Sequence, residues 1–96
     1  MSQQVVITTD SQTEIKPLIE SAIRTELRML ELGLQRTSER LRLFEEQYQM
    51  TSEEFEQRWN AGHLPESLDF VEWAGEIQTH RLLQAHRQAL QGVHLD

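Results

Sequence analysis

Apolar residues recur in alternating steps of four and three through the first half of the chain: Ile23, Leu27, Leu30, Leu34, Thr37, Leu41, Phe44 and Tyr48. Only Thr37 is polar. This is the heptad pattern of a helix lying lengthwise against another helix. It predicts a long helix over 14–50. Counted from Ile15 to Gln49, that helix is about 52 Å long at 1.5 Å per residue. A compact domain of this size has a radius of gyration of only about 13 Å, so the helix must project and its far surface needs a neighbour. Leu18, Ala22 and Met29 lie on one flank of the seam, and Leu32 and Leu43 lie nearly opposite it. A helix apolar on two sides is sandwiched between two neighbours. The expected oligomer interface is therefore Ile23, Leu27, Leu30, Leu34 and Leu41 on the seam, with Leu32 and Leu43 behind it. Parallel or antiparallel pairing, of two chains or four, is equally compatible with the seam. Thr37 either sets register in it or is a tolerated polar position. Gly33, which costs up to about 1 kcal/mol relative to Ala, is expected to mark a close helix crossing.

The pattern changes after Tyr48. Thr51 and Glu54 have capping-box spacing and open a short helix over 52–61, which Gly62 stops. Phe55 and Trp59, four apart, share the face that folds it back onto a core. A last helix is predicted over 68–92, with either Ser67 as its cap or Asp69 and Glu72 as its capping box. Its apolar face turns along its length. Phe70, Trp73, Ala74 and Ile77 form one stripe, and Leu82, Leu83, His86, Ala89, Leu90 and Val93 form another, half a turn away. Two stripes imply two neighbours or a bend near Gly75. The first stripe suits the Leu41–Tyr48 end of the long helix, and the second suits a dimer mate. Ahead of all this, residues 1–13 form an N-terminal arm. Val5 to Thr9 are five β-branched residues in a row. They are either disordered or paired with a copy of themselves or with a partner's sheet edge. Ser11 and Glu14 supply another capping box, and Pro17 places the regular start between Glu14 and Pro17. The expected fold is all-α: a single domain of long, short and returning helices in an extended hairpin with coiled-coil-like packing.

Composition narrows the function. At 38% hydrophobic and 26% charged, the chain reads as a soluble, surface-rich helical protein. Cysteine is absent, which excludes thiolate chemistry and fits a reducing compartment. No apolar run approaches the ~18 residues of a membrane span, and the start lacks the basic and apolar regions of a signal peptide. A cytoplasmic protein is expected. Net charge is −7, and Glu39 to Glu76 holds all of it, ten acids against Arg40, Arg42 and Arg58. Such a stretch repels phosphate and favours a basic protein surface. The helix–turn–helix reading of Thr51–Trp73 fails for the same reason, because Glu66 and Asp69 stand where a DNA-reading helix needs cationic or amide side chains.

Glu72, Glu76 and His80 sit at i, i+4 and i+8 on one helical face, the one constellation that invites metal or acid–base chemistry. It lacks the converging ligands of a zinc site, and Glu–His pairs at this spacing are common on solvated helices. His63 and His94 show no ligand spacing, and His86 lies in an apolar stripe. There is no glycine-rich phosphate loop and no nucleophile elbow. No enzyme, no metal and no cofactor is expected.

The stretch Leu68-Asp69-Phe70-Val71-Glu72-Trp73-Ala74-Gly75-Glu76 resembles the acidic, aromatic segment that ends a group of small bacterial helical proteins. The start Ser52-Glu53-Glu54-Phe55 and the Arg/Glu/Leu-rich long helix are also similar, and the resemblance covers roughly Glu26 to Leu90. Such proteins are encoded beside small toxin-like or nuclease-like proteins, which implies an antitoxin-like companion that binds and occludes a basic partner. Phe70 and Trp73 with Glu72 and Glu76 are then the expected partner contacts, and core packing in the hairpin is the alternative use of the two aromatics. The rival function is a purely structural homo-oligomer with both stripes consumed by self-association.

Overall fold

The computed structural model describes residues 3–5 and 12–95. Its order is β1 (Gln3–Val5), α1 (Gln12–Tyr48), α2 (Ser52–Asn60), α3 (Leu68–Gln91) and β2 (Val93–Leu95). The chain is an all-α helical hairpin with a two-stranded parallel pairing of β1 on β2 where its ends meet.

Local chemistry sets most boundaries. α1 begins at Gln12, ahead of the expected start, so Pro17 lies inside it and one backbone hydrogen bond is forgone there. The expected capping residue Ser11 lies outside the described residues. α1 ends in a Schellman turn: Gln49 takes the left-handed conformation at φ 53°, and the Met50 amide donates to the Glu45 carbonyl at 3.3 Å. Thr51 then caps α2, its hydroxyl accepting from the Glu54 amide at 3.0 Å. α2 closes the same way, with Gly62 at φ 74° and the His63 amide on the Arg58 carbonyl. Of the two caps open for α3, Ser67 takes the role, accepting from the Phe70 amide at 3.1 Å. α3 runs unbroken through Gly75.

α1 and α3 pack antiparallel. Their contacts step evenly down the pair: Tyr48 with Asp69, Arg40 with Glu76, Thr37 with His80, and Glu31 with Arg87. Gly33 is the close approach, since a methyl group there would stand 3.1 Å from Leu83 Cδ1. The seam is therefore consumed largely within the chain. Leu30, Leu34 and Thr37 are buried, and Leu41, Phe44 and Tyr48 pack against a core of Phe55, Trp73 and Ile77. This corrects the expectation that Leu30, Leu34 and Leu41 pair with another copy. Ile23 and Leu27 are half-buried, and Leu32 and Leu43 are exposed. Val5 also has a nearer partner than expected, because its strand pairs with the chain's own Val93–Leu95. Val6 to Thr9 lie outside the described residues.

Candidate protein-binding surface

The hairpin's closed end is built on aromatic stacking. The Trp73 ring lies 4.0 Å from that of Phe55, nearly parallel at 7°, and 5.5 Å from Phe44. Its indole N–H donates to Ser52 Oγ at 3.0 Å, which satisfies the only polar atom this ring brings inside. Trp73 is wholly buried. The reading of Trp73 as a partner anchor is thereby corrected: a side chain with no accessible surface contacts nothing outside its own core. Phe70 is half-buried against Tyr48 and Phe55. The Tyr48 hydroxyl donates to Asp69, and that bond, helped by burial, raises the phenol's pKa above its ordinary value.

The line of Glu72, Glu76 and His80 is divided by α1. Arg40 Nη1 donates to Glu76 Oε1 at 2.7 Å. His80 Nδ1 is 2.6 Å from Thr37 Oγ1, whose hydroxyl hydrogen is given to the Leu34 carbonyl at 3.1 Å. With that hydrogen spent, the contact uses the tautomer with its proton on Nδ1. Glu72 stays exposed. Among the described residues no three His, Cys, Asp or Glu side chains converge as metal ligands. Glu56 is held below the usual carboxylate range by Arg81, which reaches across from α3 to grip both of its oxygens.

Folding changes the meaning of the charge. The segment carrying the whole −7 occupies the last ten residues of α1, all of α2 and the first nine of α3. The hairpin lays the α1 and α3 parts side by side and α2 reaches along α3 as far as Arg81 and Gln84, so these acids fall within about 25 Å of helix rise in a molecule 58 Å long, with Arg81 offsetting Glu56 there. Several acids there are paired, Glu39 and Glu46 with Arg42 and Glu54 with Arg58. Among the described residues Glu53, Glu66 and Glu72 make no ion pair. Next to Glu66 and Glu72 in the chain, Leu68 is 74% exposed and Val71 52%. These two are exposed apolar side chains that the sequence pattern did not single out. Their exposure could have been read from the wheel, since they stand off the Phe70–Trp73–Ile77 stripe.

The concavities on the surface are grooves between helices. One, lined by Arg40, Leu43, Gly75 and Thr79, runs between α1 and α3. Another lies where α2 crosses Leu41 and Ile77. No helix among the described residues is long and apolar enough to cross a membrane. Comparison with protein families, with curated proteins and with solved structures finds no match to this chain.

Proposed function

We propose that the chain is a non-enzymatic protein-binding module of the cytoplasm, an antitoxin-like companion that takes a basic protein partner on its acidic end. The observation that carries this reading is the gathering of ten acids, against few cations, in one half of a long hairpin. A localised field of that kind steers an oppositely charged surface and rejects phosphate backbones. Leu68 and Val71, exposed beside Glu66 and Glu72, supply apolar contact area that a purely electrostatic patch would lack. Glu72 keeps its proposed role, Glu76 serves Arg40 instead, and Phe70 and Trp73 support the surface from beneath.

The test is a pull-down of the tagged chain from its native cytosol, with mass and stoichiometry measured on the eluate. One small basic protein at fixed stoichiometry is expected. It should be lost at roughly 0.5 M salt, where screening cuts the range of the field to a few ångströms. It should also be lost with the triple variant Glu53→Lys, Glu66→Lys, Glu72→Lys. Recovery of nothing beyond copies of the chain, or undiminished capture by the triple variant, refutes the proposal.

A further inference from the structure

Four large aliphatic side chains of α1 remain open in the folded chain: Leu18 at 65% exposure, Met29 at 61%, Leu32 at 59% and Leu43 at 52%. At 100° per residue they fall within about 60° of one another, roughly 140° round the helix from the seam that faces α3. Leu43 lines the groove on the side of the hairpin away from α2, so the four lie along that side, with exposed Thr25 and Arg36 between them on the same stripe, positions that face each other in the register below. Their spacing is eleven, three and eleven residues. It reads the same from either end, about a centre between Met29 and Leu32.

We infer that this line is the interface for a second copy of the chain, with the two α1 helices antiparallel about a two-fold axis between Met29 and Leu32. In that register Leu18 of each copy meets Leu43 of the other, and Met29 meets Leu32. The midpoint of Gln12–Tyr48 is Leu30, so the same register overlaps nearly all of both helices. α3 stops at Gln91, about one turn past the Glu31–Arg87 contact, and leaves the first part of α1 without a helical neighbour among the described residues. The far end of the second α1 covers that part.

Charge selects this arrangement over the parallel one. A parallel pair would stack two −7 ends together. The antiparallel pair sets them about 44 Å apart by helix rise, several screening lengths at physiological salt. It also brings Arg24 level with Thr37 of the second copy, about 3 Å of helix rise from Glu39, where the parallel pair faces each charge with itself. The area is adequate. A strip about 50 Å long and 10 Å wide gives on the order of 500 Å² per copy, and the outward edge of α3, with Leu82 56% exposed, brings it towards the ~800 Å² of a stable interface.

Cysteine is absent from the chain, so introduced thiols report register cleanly. Sedimentation at about 10 μM should give twice the 11.3 kDa chain mass. Differently tagged Leu18→Cys and Leu43→Cys proteins, mixed and treated with a short bismaleimide, should cross-link to each other. Leu18→Cys alone should not, because its two thiols would lie about 38 Å apart by helix rise. Leu32→Glu should leave the far-UV helix signal intact and raise the dimer Kd at least about 100-fold. A monomer at this concentration, efficient self-cross-linking of Leu18→Cys, or an undisturbed Leu32→Glu dimer would each overturn the inference. The acidic-end triple variant should remain dimeric, so this inference and the proposed function fail separately.

Discussion

Trp73 shows how much of this fold rests on single side chains. Replacing it with Ala should cost about 3–5 kcal/mol in chemical denaturation, because the cavity would sit between Phe55 and Phe44 with nothing free to fill it. Trp73→Phe should cost less. It keeps part of the stacking, and leaves a smaller cavity together with Ser52 without its donor, a loss of about 2 kcal/mol. Thr37 and His80 form a second such unit, the polar break in the seam. Thr37→Val and His80→Leu should each destabilise by about 1 kcal/mol, and the double variant by less than their sum, since each single change strands the other's polar atom. Two titrations belong here as well. Glu56 has a lowered pKa in the folded chain, so it contributes stability above the ordinary carboxylate pKa that is lost as pH falls through the depressed value. Arg81→Gln should remove that part of the acid-side loss in a pH series of unfolding curves. Tyr48 has a raised pKa, so its contribution is complete below about pH 10 and disappears at still higher pH. Tyr48→Phe should flatten the alkaline side of the same series.

At the level of elements, what could be read from the chain was whatever local chemistry decides. Thr51 and Gly62 punctuate the structure where capping and left-handed backbone demand them. The seam was legible as a helix contact, but its partner was not, because a heptad pattern carries no mark of whether the facing helix lies in the same chain. Trp73 is the sharpest case: an aromatic on an apolar stripe suits a core and an interface equally, and only the docking of α2 closes over it. The β1·β2 pairing was illegible for a plainer reason. Three-residue strands have too few positions for a period to register, and Val93–Leu95 follows directly on the apolar stripe of α3. Gly75, where a bend was one of two ways open to account for the turning stripe, is ordinary helix with open space where a side chain would stand. Gly75→Ala should therefore stabilise α3 by about 0.5–1 kcal/mol, read as a raised Tm. Gly33→Leu should do the opposite, because Leu83 already fills that space.

Taken whole, the molecule is a rod with a weighted end. Its radius of gyration of 18.6 Å exceeds the ~12.5 Å of a compact chain of this length, and its wholly buried side chains, Trp73 and Phe55, both belong to the acidic end. Stability should be graded accordingly. Amide hydrogen exchange should be slow from about Leu30 to Phe44, where α3 lies alongside, and faster towards the start of α1. The aromatic residues follow the same gradient. All six, Phe44, Tyr48, Phe55, Trp59, Phe70 and Trp73, belong to the closed end, and the opposite half holds none. Every intrinsic optical probe therefore watches one end of the rod. Fluorescence and near-ultraviolet dichroism will track the melting of that end and be blind to fraying at the other, while far-ultraviolet dichroism averages over both. Melting curves from the two methods that coincide will mean the rod unfolds as one unit. Curves that separate, with the far-ultraviolet signal falling first, will mean that the rod comes apart from its colourless end.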